Sequence, residues 1–165
     1  MEATQTDVRI EACKENAVRA MKHFLHAMSF VPEDKLHWAP TPTSKCAFQI
    51  AAHTAVTNGN FAKMMRERKL PLGDEIPAFI ERTKASEDAL KTREDIEALF
   101  RKNTDDVLAA LDTLTPDEFE LVLDTGVGFS MPMKQLMNLP TAHVNWHIGQ
   151  IDYLQTCWDD QEVHF

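Results

Sequence analysis

The chain has 165 residues, 17 of them Lys or Arg and 26 Asp or Glu, for a formal net charge of -9. That excess of negative charge repels phosphate backbones and offers no counterion release, so DNA and RNA are not expected partners. Nowhere do about 18 apolar residues run together, so no helical membrane span is expected. The acids within "MEATQTDVRIEACKENAVRA" fit neither a signal peptide nor a transit peptide.

A chain of this length is expected to form one domain, residues 1–165, burying roughly 70% of the surface its unfolded form exposes. Its cysteines, Cys13, Cys46 and Cys157, are odd in number and widely spaced, which points to a reducing cytoplasm rather than a disulfide framework.

From Val8 to Met28 the apolar residues Ile10, Cys13, Ala17, Met21, Phe24, Leu25 and Met28 recur at three and four, which predicts an amphipathic helix ended by Pro32. A Pro-rich link, "VPEDKLHWAPTPT", leads to Thr43 or Ser44 as N-cap of a second helix, "KCAFQIAAHTAVTNGNFAKMMRERK", which contains Gly59. The segment from Leu70 to about Lys91 has two prolines and a glycine; it reads as a crossover with at most a short helix. Thr92, with Asp95 three residues on, opens a third helix along Ile96, Leu99, Phe100, Val107, Leu111 and Leu114. "TPDEF" stops it, and "LVLDTGVGF" reads as a hairpin or ordered loop. Ser130 is the expected cap of a fourth helix through Trp158, with Pro132 in its first turn and Pro140 kinking it. The fold expected is all-α, with four long helices. "VPEDKL" and "LTPDEF" echo each other faintly, and shared turn chemistry accounts for six residues better than a duplication does.

At about 100° per residue, Leu136, Leu139, His143, Trp146, His147, Gln150, Ile151, Leu154 and Trp158 gather on one side of the last helix, opposite Asn145, Asp152, Thr156 and Asp159. His143 and His147 therefore point inward. One buried histidine is usually a hydrogen-bonded core residue. Two on adjacent turns are harder to accommodate: an unpaired ring nitrogen costs roughly 1–3 kcal/mol, and neighbouring imidazoles cannot both be protonated cheaply. A shared cation removes both problems, and side chains at i and i+4 are about 6 Å apart, close enough to converge on one ion. His53 offers a third ligand, on a stripe with Ile50, Thr57, Phe61 and Met64. The other side of that helix, Phe48, Ala52, Ala55, Gly59 and Ala62, is mostly small and suits close approach by another helix.

His23 and His26 fall opposite the apolar stripe of the first helix, on a solvated face. His37 lies in the Pro-rich link and His164 in the last two residues; neither is a preferred ligand. Helical rise alone separates Cys46 from His53 by roughly 10 Å and Cys157 from His147 by roughly 15 Å, and Cys13 suits a small buried apolar role. Val144 follows His143 where a zinc protease would have Glu, so the HExxH reading fails. Three histidines without a fourth protein ligand describe an open, catalytic type of metal site rather than a closed structural one.

"AAH" in the second helix and "HVNWHIGQ" in the last resemble the DinB/YfiT-like family of metal-dependent enzymes, and "VPEDKLHWAPTPTSKCAFQIAAH" is similar to the family's segment leading into its first histidine. The resemblance covers nearly the whole chain. It implies an up-down-down-up four-helix bundle with a long crossover between the second and third helices. It also implies a divalent ion, zinc or nickel, on His53, His143 and His147, with Gln150 as a neighbouring hydrogen-bond partner. Ile148 stands where members often have Arg, which weakens any transfer of anion-binding function. The resemblance further implies a homodimer acting on a small-molecule substrate, and a low-molecular-weight thiol as cosubstrate, as in related S-transferases and isomerases.

Three functions remain open at this stage. One is a metal-dependent enzyme, a thiol S-transferase acting on small electrophiles or a hydrolase; the second is a metal-binding module without turnover. The third is a helical interaction protein whose small-residue face on the second helix packs a partner.

Overall fold

The computed structural model describes residues 7–162 and 164; residues 1–6, the start of the segment read for a targeting signal, lie outside the described residues. The chain is mostly helical. Its elements are α1 (Val8–Ser29), α2 (Ala47–Glu67), α3 (Ile76–Ala89), α4 (Arg93–Leu111), a hairpin of β1 (Val122–Asp124) and β2 (Ser130–Pro132), α5 (Met133–Leu136) and α6 (Leu139–Thr156). None of these helices is long and apolar enough to cross a membrane.

Asp7 caps α1 by accepting from the Arg9 N–H at 2.8 Å, and the expected stripe from Ile10 to Met28 is buried except for the half-buried Leu25. Opposite it His26 is exposed, but His23 is only half so. α4 opens with the expected reciprocal cap between Thr92 and Asp95. "VPEDKL" and "LTPDEF" each form a 3-10 turn, Glu33–Lys35 and Pro116–Glu118. In both, the flanking apolar residues are buried, Val31 with Leu36 and Leu114 with Phe119, so turn chemistry explains the echo.

Four boundaries differ from expectation. α2 is capped at Cys46, whose N–H donates to the Gln49 side chain at 3.1 Å, not at Thr43 or Ser44. The crossover holds a 14-residue helix, α3, with Pro77 in its first turn, where proline costs nothing because that N–H has no helical acceptor. Ser130 begins β2, paired with Asp124, instead of capping a helix. The last helix is two: α5 ends at Leu136 and α6 starts afresh at Leu139, so Pro140 initiates rather than kinks.

α4 packs on α2 and α1, and α6 packs on the same two helices from the other side. The small face of α2 admits α4 closely: a Cβ on Gly59 would stand 2.7 Å from Asn103 Nδ2. That seam is also polar, with Asn103 Nδ2 donating to the Ala55 carbonyl at 2.8 Å and Asn58 Nδ2 to Thr104 Oγ1 at 3.2 Å. Ala55 and Ala62 are buried on this face, which meets α4 of its own chain at Ala55 and Gly59. At the end of α2, Arg68 takes a left-handed backbone, φ 51°. Its guanidinium donates to both Glu118 oxygens, at 2.9 and 3.0 Å, and to the Thr113 carbonyl. Near the other end Arg93 donates to the Met28 and Val31 carbonyls. Further cross-links join Lys14 to Asp112, Cys13 to Asn138 and Gln155 to the Ala27 carbonyl.

One cluster of core side chains surrounds Phe24 and Phe100, which meet edge to face at 5.5 Å between ring centres; a second gathers Met65, Leu111, Met133 and Leu136. α3 differs from the other long helices. It packs chiefly on α2 and buries no residue.

Candidate metal centre

α6 delivers His143 and His147 from successive turns, and α2 delivers His53 opposite them. The core line of α6 runs through Val144, Ile148, Ile151 and Leu154, about one residue's rotation from the line the spacing suggested. The two histidines therefore flank the core rather than enter it, facing α2. Trp146, expected inward, is 66% exposed, and Gln150 is exposed too. Ile148 is buried in the core cluster with α1 and α2, a position with no room for a solvated cation.

The Nε2 atoms of all three rings meet. His143 Nε2 is 3.3 Å from His53 Nε2 and 3.0 Å from His147 Nε2, and one ligand atom from each residue lies within 4.8 Å of the others. The outer nitrogens of two rings are occupied: His53 Nδ1 sits 2.7 Å from Glu87 Oε1 on α3, and His147 Nδ1 sits 2.6 Å from Gln150 Oε1. A carboxylate or amide oxygen accepts, so each Nδ1 carries the proton and each Nε2 presents a lone pair inward. His143 Nδ1 is buried with no partner. Burial pushes the His143 imidazole down to about 3, and the neighbouring His147, His53 and Lys45 add to the effect. His147 is lowered as well, by burial first, with the Gln150 hydrogen bond opposing.

The lone pairs of His53 Nε2 and His147 Nε2 both face His143 Nε2, where a single ring proton serves only one of them and a cation serves all three nitrogens. Two nitrogens on one tetrahedral ion at about 2.0–2.1 Å stand about 3.3 Å apart, close to the separations here, and a partner on the ring's other nitrogen is the usual arrangement for a ligating histidine. The donor set fits a divalent ion.

Sequence reasoning brought all three histidines together and assigned Gln150 its neighbouring role, although it placed Gln150 inside. It missed Glu87. The only signal was helical spacing in "IPAFIERTKASE", which puts Phe79, Ile80, Thr83 and Glu87 on one side of α3. His37 lies against Phe48, His164 stacks on Phe30 and meets Asp160 at 2.9 Å, and Cys13, Cys46 and Cys157 are free thiols; none belongs to the cluster.

A cleft of about 1290 Å³ opens on His53 and His143, walled by α2, α3 and the Pro-rich link. Phe48, Phe61, Phe79 and Ile80 supply apolar surface, and Lys45, Lys84, Glu87 and Asp88 supply charge.

A family model described as the DinB superfamily matches residues 17–151. The chain belongs to the DinB superfamily. A DinB-like protein from Bacillus subtilis, YjoA, has a similar structure, with a TM-score of 0.66 over 93% of this chain and 96% of that one at 17% identity; at that identity the likeness concerns the fold. No curated protein matches.

Proposed function

We propose that this DinB superfamily member is a divalent-metal-dependent enzyme, with zinc or nickel held by His53, His143 and His147, that transfers a small thiol to a small electrophile. The observation that carries the reading is the convergence of three Nε2 atoms whose rings are fixed from behind by Glu87 and Gln150. Glu87 fixes the tautomer of His53, and Gln150 does the same for His147. A divalent ion in such a site lowers the pKa of a thiol or water and supplies a nucleophile near neutral pH. The adjoining cleft favours an enzyme over a module that only sequesters metal, because sequestration needs no substrate-sized space. The interaction-protein reading loses its surface, since the small face of α2 is covered by α4.

The scaffold we infer is a single up-down-down-up four-helix bundle of α1, α2, α4 and α6. Supporting it, α2 and α4 are joined Ala55 to Asn103 and Arg68 to Thr113, while α1 and α6 are joined Cys13 to Asn138 and Ala27 to Gln155, as two parallel pairs would be. A cytoplasmic homodimer completes the proposal, the dimer resting on family resemblance alone.

Elemental analysis after chelation and reloading tests the site: about one ion per chain is expected, with His53→Ala, His143→Ala and His147→Ala each losing it and His23→Ala/His26→Ala keeping it. Glutathione, bacillithiol, mycothiol and coenzyme A, each offered with several electrophiles, test the reaction. Turnover that persists without metal would exclude it. Inactivity of the fully loaded protein would return the balance to a binding module.

A further inference from the structure

The cleft beside the triad holds two lysines that pair with no carboxylate among the described residues. Six of the chain's lysines, Lys14, Lys35, Lys63, Lys69, Lys102 and Lys134, pair with carboxylates. Lys45, on the link just before α2, and Lys84, on α3, pair with none among the described residues, although both line the cleft and the chain as a whole is acidic. Of the two acids there, Glu87 is bonded to His53, and Asp88 is exposed and pairs with neither lysine. Lys45 lines the cleft together with His53 and His143. Thr57 Oγ1, one turn along α2 from His53, lines the same space, buried and without a hydrogen-bond partner.

An apolar cleft with an unpaired lysine among the residues that line it beside the triad is complementary to a molecule that has an apolar body and a negative end. We propose that the substrate of this site is a small carboxylate with an apolar or aromatic body, and that Lys45 selects it by pairing with the carboxylate. The inference rests on reading the triad cleft as the substrate site and adds the class of molecule admitted.

The test is calorimetric titration with 4-phenylbutyrate and 4-phenylbutyramide, two probes of one shape that differ in charge, on zinc-loaded and metal-free protein. The carboxylate should bind about fivefold more tightly than the amide, the scale of one partly exposed ion pair, and the margin should shrink as salt is raised. Lys45→Gln should abolish the preference and Lys45→Glu should reverse it, while circular dichroism and zinc content stay as in the parent because Lys45 is exposed and ligates nothing. Equal affinity of the two probes overturns the proposal, as does no measurable binding of the carboxylate, or a preference that survives Lys45→Gln. Zinc content of the same samples separates this from the enzyme reading: a chain that holds no zinc yet keeps a Lys45-dependent preference loses the metal and retains the carboxylate site.

Discussion

The two walls around His53 are built differently. On one side α2 meets α4 along a seam of alanines and Gly59, close enough that Asn103 crosses to the Ala55 carbonyl, and the seam is clamped at its end by Arg68. On the other side α3 lies over the cleft, buries nothing, and reaches the centre through Glu87. Stability and chemistry are thereby separated. Residues of the first wall fix where His53 stands; residues of the second decide how its ring is turned and what enters beside it.

Substitution within the first wall should have the largest effect. Phe100 is fully buried and packs edge to face on Phe24, so Phe100→Ala should cost about 3–5 kcal/mol in urea unfolding, as large-to-small core changes do. A loss below about 1 kcal/mol would mean that the α4 core is far looser than this packing.

The second wall should respond in a different observable. Glu87→Gln keeps the shape but removes the charge that orients His53 Nδ1–H, so zinc affinity should fall roughly 10–100-fold, the usual effect of losing a ligand's supporting partner. Unfolding of the metal-free protein should change by no more than about 0.5 kcal/mol, because the residue is on a helix with no buried side chain. Competition with a chelating dye measures the first quantity and denaturant titration the second. Unchanged affinity would reduce Glu87 to a surface contact.

This division also explains what the sequence could and could not convey. α1, α2 and α4 were legible because each buries a stripe against the core, and burial writes a period into the residues. α3 buries none and so carries no such stripe; Pro77 and Pro140 were both taken as interruptions when each stands in a first turn, the one helical place that tolerates proline. His143 and His147 were legible as a pair through their spacing, and His53 through its stripe. Glu87 was not, because its partnership with His53 spans 34 positions and belongs to the fold rather than to any local pattern. The facing of α6 was off by about one residue because the helix is apolar on more than one side: Trp146, counted inward, is exposed, and it pulls a simple count away from Val144 and Ile148.

The smallest predicted effect concerns protons, and it probes the more enclosed side of the triad. His143 is held neutral by burial down to about 3 in the folded, metal-free protein, whereas in the unfolded chain it titrates near the ordinary 6.5. Above that value the ring is neutral in both states and contributes no pH dependence. Below it the unfolded chain takes up a proton that the folded one refuses, so stability falls with falling pH by up to about 1.4 kcal/mol per unit for each such ring. His147 shifts in the same direction. The informative window lies between about pH 6.5 and 5, because the lowered carboxylates, such as Glu118 held at about 2 by its bond to Arg68, add their own loss only below the unfolded carboxylate range near 4.3. Across that window metal-free protein should lose about 1–2 kcal/mol in urea unfolding, and His143→Ala should lose less because one of the refused protons is gone. A stability that stays flat from pH 6.5 to 5, or a His143→Ala variant with the parent's full slope, would mean that His143 is open to protonation in the folded state and that the triad is not preorganised as neutral ligands.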